Sequence, residues 1–336
     1  MAQTMKIVIP MAGWGTRMRP HTWSKPKPLM PIAGKTVLDY VIDQFDSIPT
    51  SFEREFVFIV GHQGEQIEKY MQEYHPDLKV DYVGQEEMRG QSHAIYLARQ
   101  HLKGPMLMAF SDTLIETDLA FLQSETCDGL AWVKPVPDPR RFGVAELGSE
   151  GHVARLIEKP QDVNNNLVLV GFYYFRSGES LVRAIEKQMN RGTSLKGEYY
   201  IVDAINVMLE DKVDFRVKRI ETWLDTGIPA TTLETNRYLI EHRADNSAVF
   251  ADRPGVAIIP PVCIHESVQL ESAVVGPYVS IGKDTRITDA VVRNSIIGDE
   301  AEISGVVCEN SLLGNNAYIE EQVSHFNVGD NSRLVK

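Results

Sequence analysis

Residues Met11–Leu29 read MAGWGTRMRPHTWSKPKPL, directly after the apolar run Lys6–Pro10 (KIVIP). A short buried strand that opens into a glycine-containing loop is the usual start of an α/β domain whose ligands lie beyond the carboxyl ends of its strands. Gly13 and Gly15 let backbone N–H groups approach and ring an anion. Four cations, Arg17, Arg19, Lys25 and Lys27, then crowd into eleven residues of a chain whose formal net charge is −12. An arginine fork matches phosphate oxygens in bidentate fashion, and a lysine acts as a point charge. The stretch therefore reads as a triphosphate cradle. A dinucleotide fingerprint needs a third glycine where Met18 stands, and a Walker A loop needs a terminal Gly-Lys-Ser/Thr that is missing. A merely structural glycine turn leaves the cations unexplained.

Outward from this loop, β-rich and helical patterns alternate. Val37–Phe45 carries apolar residues at helical spacing, Glu55–Val60 reads as a second strand, and 65–74 as a helix. Val80–Val83 and Met106–Phe110 read as further strands, with an amphipathic helix over 91–102 between them. The alternation predicts a Rossmann-like α/β domain with a mostly parallel sheet over residues 1–243. Residues 244–255 form a linker, and the texture then changes. Val275-Gly276, Ile281-Gly282, Ile297-Gly298, Leu313-Gly314 and Val328-Gly329 repeat an aliphatic-Gly pair, and apolar residues recur six apart from Ile258 to Leu334. The blocks restart at uneven intervals, Ile258, Val275, Ile297, Leu313 and Val328. Such a pattern predicts a solenoid of short strands over 256–336, and an ordinary β-sandwich with glycine turns is the bland alternative.

Composition narrows the function classes. The 336 residues are 43% hydrophobic and 24% charged, enough for about two ordinary folded domains. The acidic balance argues against a main role on nucleic acid or an anionic membrane. No apolar stretch approaches the length of a membrane span, and no leader pattern precedes Lys6, so a cytoplasmic protein is expected. Cys127, Cys263 and Cys308 are widely spaced and are expected as free thiols.

The Met11–Leu29 segment closely resembles the sugar-1-phosphate nucleotidyltransferase family, whose pattern is roughly G-x-G-T-R-x-x-P-x-T followed by K-P. Gly13, Gly15, Thr16, Arg17, Pro20, Thr22, Lys27 and Pro28 match it. The resemblance implies that Ala12, Gly13, Gly15 and Thr16 wrap the nucleotide while Arg17 and Lys27 hold the phosphates. Trp14 fills the variable slot, and the A-G-x-G-T-R form is nearer to bacterial uridylyltransferases than to thymidylyltransferases. Further matches follow in order. Gln85 and Gly90 stand where the family reads the base, and the Gln85 amide offers both a donor and an acceptor to a pyrimidine. His93 fits the G-x-x-H-A of uridylyl-type members, although a packing role near a helix start serves as well. Asp112, in Ser111-Asp112-Thr113 where the family has G-D-N, is implied as a metal ligand. Asp225, in Trp223–Gly227 (WLDTG), is implied as the second. Gly143, Glu158, Lys159 and Gly171 match sugar-facing elements, and Glu198 in KGEYYIVDAI is either a ligand or a buried structural carboxylate. The solenoid resembles the hexapeptide repeats of left-handed β-helices.

What the resemblance implies is transfer of a nucleoside monophosphate from a nucleoside triphosphate, UTP or dTTP favoured, to a hexose 1-phosphate, glucose 1-phosphate favoured, with Mg²⁺ held by Asp112 and Asp225. A sugar phosphate is already anionic at neutral pH, so positioning and charge neutralisation carry such a reaction and no general base is required. The expected partners are these substrates and, through the solenoid, further copies of the chain. Rival readings are a non-catalytic regulatory subunit of the same fold, a second acyl-transfer activity on the solenoid, and a cytidylyltransferase for another phosphate. The intact charged set speaks against the first. The short repeat region speaks against the second, with His265 and His325 expected on coil surfaces.

Overall fold

The computed structural model describes residues 3–148 and 151–321. Val328, Leu334 and His325 of the expected solenoid lie outside them. Two compact units emerge, one of residues 1–30 and 36–231, the other of 31–35 and 232–336. The boundary expected at 243 thus falls inside the second unit.

In chain order the elements are β1 (Gln3–Pro10), β2 (Pro31–Ile32), β3 (Lys35–Thr36), α1 (Val37–Asp43), β4 (Phe52–Val60), α2 (Gly64–Tyr74), β5 (Val80–Gly84) and α3 (Gln91–Leu97). Then follow β6 (Met106–Ala109), β7 (Thr113–Ile115), β8 (Gly129–Pro135), β9 (Gly143–Leu147), β10 (Val153–Glu158) and β11 (Leu167–Phe175). The unit ends with α4 (Gly178–Asn190), α5 (Ile201–Glu210), β12 (Phe215–Arg219), β13 (Trp223–Asp225) and the start of α6 (Pro229–Leu239).

The main sheet runs β10-β9-β11-β6-β1-β4-β5, with β8 beside β11 and β12 beside β8. Strands β6, β1, β4 and β5 pair in parallel, as the β–α alternation predicts. The other half departs from a mostly parallel sheet: β11 runs antiparallel to β6, β8 and β9, and β10 antiparallel to β9. The reason is connection length. Only a few residues separate β9 from β10, enough for a hairpin but not for the crossover that a parallel pair needs.

Alternate side chains fill two cores, as period-two strands require. On one face Val8, Val57, Met108 and Tyr173 pack with Ile95 of α3, Leu181 of α4 and Ile205 of α5. On the other an aromatic stack forms, with Phe45 5.5 Å from Phe172 and Trp132 4.8 Å from Phe172 between ring centroids. Each such side chain contributes about 1.5–3 kcal/mol when fully buried. Helix α1 begins with a capping box: the Thr36 hydroxyl accepts from the Asp39 N–H, and the Asp39 carboxylate accepts from the Thr36 N–H at 2.8 Å. The same carboxylate receives the Tyr70 hydroxyl at 2.8 Å and His75 Nε2 at 2.8 Å. Burial alone would raise the Asp39 pKa, but these bonds outweigh it and hold the value below the ordinary one.

Among the described residues of the second unit, twelve short strands form three parallel four-stranded sheets, one per side of a triangular coil, consistent with the expected left-handed β-helix. Ile258, Val275, Val292 and Cys308 stack in one row, and Ile264, Ile281, Ile297 and Leu313 in the next. Leu270, Ile287, Ile303 and Ile319 make the third. The irregular interval in the sequence arises because Ile297 belongs to the second row. Val292, five residues before it, holds the first-row place and was hidden by the broken six-residue step. A Cβ on Gly282 would stand 2.3 Å from Asp299 Oδ1, and one on Gly298 2.4 Å from Asn315 Oδ1. The glycines of the Ile281-Gly282 and Ile297-Gly298 pairs therefore leave room for a side chain of the next coil. Asp299 uses that room to accept the Lys283 N–H at 2.9 Å. One side of the coil is lined by residues of its own unit: Asn236 Oδ1 accepts both the Ala33 N–H and the Ser280 hydroxyl at 2.9 Å. The three cysteines are free and buried, and burial pushes the Cys127 thiol up to about 12. No helix among the described residues is long and apolar enough to cross a membrane.

Candidate active site

The loop after β1 carries the first group of expected site residues. Ala12 is buried, while Gly13, Thr16 and Arg17 are exposed. A Cβ at Gly13 would meet nothing within 4 Å, so this part of the loop faces open space where a ligand can approach. The loop is braced from within, since the Thr22 hydroxyl donates to the Gly15 carbonyl at 2.8 Å. Downstream, Gln63 Nε2, just ahead of α2, and Gln66 Nε2 on α2 donate to the carbonyls of Trp23 and Ser24, each at 3.0 Å. Those bonds fix the chain just ahead of Lys27.

Lys27 forms an ion pair with Asp112, their side chains only 11% and 22% exposed. Burial opposes ionisation of Asp112. The Lys27 ammonium, with help from Arg17, overcomes that opposition and holds the carboxyl below its ordinary pKa. Asp112 lies in the tight turn between β6 and β7, and β7 pairs antiparallel with β13, setting Thr113 opposite Asp225. The Thr226 N–H donates to the Asp112 carbonyl at 3.0 Å. Two aspartates 113 positions apart in the chain are thus on adjoining backbone segments. Asp225 is oriented by the Gly227 N–H at 3.0 Å and the Thr231 hydroxyl at 2.8 Å. The described residues hold no group of three or more His, Cys, Asp or Glu suited to a metal. A pair of carboxylates matches a hard cation that keeps waters and takes its remaining oxygens from phosphates, the usual habit of Mg²⁺.

A second group gathers on β9, β10 and the start of α5. Gly143 lies opposite Glu158 in the β9–β10 pair, and the Lys159 N–H donates to the Phe142 carbonyl at 2.9 Å. Burial pushes the Glu158 pKa up. Lys159 Nζ lies 3.7 Å from Glu158 and donates to the Tyr200 hydroxyl at 2.8 Å, 4.5 Å from the centre of that ring. Tyr200 in turn donates to Glu198 at 2.8 Å. Of the two readings for Glu198, burial as a structural carboxylate does not hold, because the residue is exposed. Gly171 sits at a register break in β11, and its carbonyl accepts the Phe110 N–H at 3.0 Å. That contact ties β11 to the turn bearing Asp112.

Gln85 and Gly90 form the third group. Gln85 is buried, and its backbone N–H donates to Val60 at 2.8 Å. Gly90 has φ +94, and a Cβ there would strike Tyr199 N and O at 2.6 Å. Only glycine fits, both for conformation and for space. The turn is strapped to the 198–201 segment by bonds from Tyr199 N–H to Arg89 O and from Ser92 N–H to Tyr199 O, both 2.9 Å. His265 is exposed on the coil, as expected.

Tyr200, Thr226 and Thr231 escaped the sequence reading. Tyr200 lies beside Glu198 in a matched element, but its partner Lys159 is 41 residues away and no spacing announces the pair. Thr226 stands inside the WLDTG element, but its target, the Asp112 carbonyl, which it meets through both its N–H at 3.0 Å and its hydroxyl at 3.3 Å, is far away in the chain.

A family model described as Nucleotidyl transferase matches residues 6–242. The bifunctional protein GlmU of Methanococcus vannielii is 32% identical over 245 residues, covering 71% of this chain and 56% of that protein. The chain spans between 54% and 56% of the length of the GlmU relatives it matches. The glucose-1-phosphate thymidylyltransferase of Streptomyces antibioticus is 30% identical over 318 residues, 87% of each chain. Among solved structures, a UDP-glucose pyrophosphorylase complexed with UDP-glucose has a TM-score of 0.60 at 21% identity, over 72% of this chain and 100% of that one. At that identity the likeness speaks for the fold. With the family match over most of its length, and the glycine loop and the carboxylate pair in one unit, the chain belongs to the nucleotidyl transferase family.

Proposed function

We propose that the protein joins a nucleoside triphosphate, UTP or dTTP, to a hexose 1-phosphate, glucose 1-phosphate by preference, yielding a nucleoside diphosphate sugar and pyrophosphate. The observation that carries this reading is the contact of Lys27 with Asp112 beside the strand that presents Asp225. Cationic and anionic groups of opposite task, one for phosphates and one for a divalent ion, are held side by side next to a glycine loop. The family generally works with a divalent metal. We assign Mg²⁺ to Asp112 and Asp225, where it would neutralise phosphate charge when bound.

The chain's own residues supply the rest. Arg17, exposed on the loop, takes the leaving pyrophosphate, and Lys27 the phosphates at the reacting centre. Ala12, Gly13, Gly15 and Thr16 line the nucleotide, and Gln85 and Gly90 meet its base. Gly143, Glu158, Lys159 and Gly171 form the sugar side, with Lys159 reaching the sugar phosphate. No side chain is needed to remove a proton from the nucleophile, a phosphate oxygen already ionised near neutral pH by analogy with the second pKa of about 6 of a phosphoserine. Orientation and preorganised charge do the work. The solenoid serves self-association.

The deciding experiment measures pyrophosphate release over a grid of nucleoside triphosphates and sugar 1-phosphates, with and without Mg²⁺. Release with UTP or dTTP and glucose 1-phosphate, dependent on Mg²⁺, is expected. Silence across the whole grid would reject the reading.

A further inference from the structure

The Gln85 amide is held by two acceptors. Its Nε2 faces the Gly90 carbonyl at 3.5 Å and His93 Nδ1 at 3.4 Å. The Gly90 carbonyl can only accept, so it decides which end of the amide is the NH₂. The reversed amide would press Oε1 against another carbonyl oxygen. With Nε2 in that place, His93 Nδ1 must be the acceptor, and the ring proton belongs on the imidazole's other nitrogen. Burial, followed by the charge of Arg89, keeps the His93 pKa below its ordinary value, so the neutral ring that this arrangement needs is the favoured one near pH 7. Both amide hydrogens are then engaged inside the protein. Oε1 is the part of Gln85 left for a ligand.

We infer that His93 is a positioning residue that holds Gln85 with its carbonyl oxygen toward the base, and so selects uracil or thymine, which carry a ring N3–H, over cytosine, which does not. The inference rests on the function proposed above and deepens it. An amide free to turn would offer either a donor or an acceptor, as the sequence alone allows. An amide locked by Gly90 and His93 offers an acceptor. The N3–H of uracil or thymine completes a hydrogen bond to it, whereas the N3 lone pair of cytosine opposes it and leaves Oε1 without a partner.

The test is calorimetric binding of UTP, dTTP and CTP, each with Mg²⁺, to the full chain and two variants. The wild type is expected to bind UTP and dTTP at least about tenfold more tightly than CTP, the value of one good hydrogen bond. His93→Phe keeps a ring but has no acceptor, and the preference should fall by about the same factor. His93→Asn places an acceptor oxygen near the position of Nδ1 and should keep the preference within about twofold of wild type, too small a change for a lost hydrogen bond. If His93→Phe fails to fold, His93→Ala replaces it with the same expectation. A wild type indifferent to the base, an unchanged preference without the acceptor, or an equal fall in His93→Asn would overturn the inference. Because binding is read without turnover, a chain that selects UTP but releases no pyrophosphate with any sugar 1-phosphate would sink the proposed function and not this one.

Discussion

Lys27 and Asp112, 85 residues apart in the chain, neutralise one another at the mouth of the glycine loop. The pairing makes the lysine more than a free surface charge. It sets the ionisation of the aspartate, and the same ammonium is the group proposed to meet phosphates. Lys27→Ala should lower kcat by roughly 10²–10³, the cost of one preorganised charge contact at a reacting centre. Pyrophosphate release under saturating substrates checks it, and near-normal turnover would remove the assignment.

Asp225→Asn separates metal affinity from folding. The asparagine keeps one oxygen for the Gly227 N–H or the Thr231 hydroxyl, and the β7–β13 pairing is made by backbone atoms. The expected outcome is a similar loss of kcat, about 10²–10³, with a melting temperature close to wild type. A Mg²⁺ titration should show saturation shifted to higher concentration.

Gly90→Ala should disturb two things together. Its φ of +94 is strained for any residue with a Cβ, and that atom would lie 2.6 Å from the Tyr199 backbone. A destabilisation of about 1–3 kcal/mol is expected from the strain. Affinity for the triphosphate should fall while the KM for the sugar phosphate changes less, and chemical denaturation with a KM comparison reads both.

Tyr200→Phe retains the ring over Lys159 and deletes the hydroxyl that joins Lys159 to Glu198. A hydrogen bond to a charged group is worth about 1.5–3 kcal/mol. The KM for the sugar 1-phosphate should therefore rise by about tenfold or more, with the KM for the triphosphate within about twofold. Equal changes in both would mean that the tyrosine serves general packing.

Asp39 gives a pH prediction. Its folded pKa lies below the unfolded value of about 4, so its contribution to stability is fully present above that value. The contribution fades as pH falls through the folded value. Melting temperatures between neutral pH and pH of about 3 should drop more steeply for the wild type than for Asp39→Asn, which has no such proton to take up. Parallel curves would contradict the role of the capping and tyrosine–histidine contacts.

The glycine loop, the carboxylates and the repeat were legible because each is written in residue types at fixed offsets. The glycine- and cation-rich stretch at Gly13–Lys27 and the motifs around Asp112 and Asp225 needed no tertiary knowledge to find. Their meeting did, since it depends on which strands become neighbours, and β13 pairs with β7 without any local signal. The unit boundary was missed for a related reason. Helix α6 runs across it unbroken, between Thr231 and Thr232, so helical periodicity continues where the compact units part. The inclusion of residues 31–35 with the distant solenoid is written only in contacts such as that of Ala33 with Asn236. The antiparallel half of the sheet was obscured because a fully buried strand such as β11 reads the same in either direction.

The stacked rows of the coil also govern how its length can change. Ile264, Ile281, Ile297 and Leu313 fall beneath one another because the strands stay in register, although the corner between the first and second rows takes one residue fewer from the third circuit on. Deleting a single residue within a strand would turn the following aliphatic side chain outward and bring a polar neighbour in. Insertions and deletions are therefore confined to the corners, where a residue can be lost without moving the strands, or to whole circuits gained or lost at once.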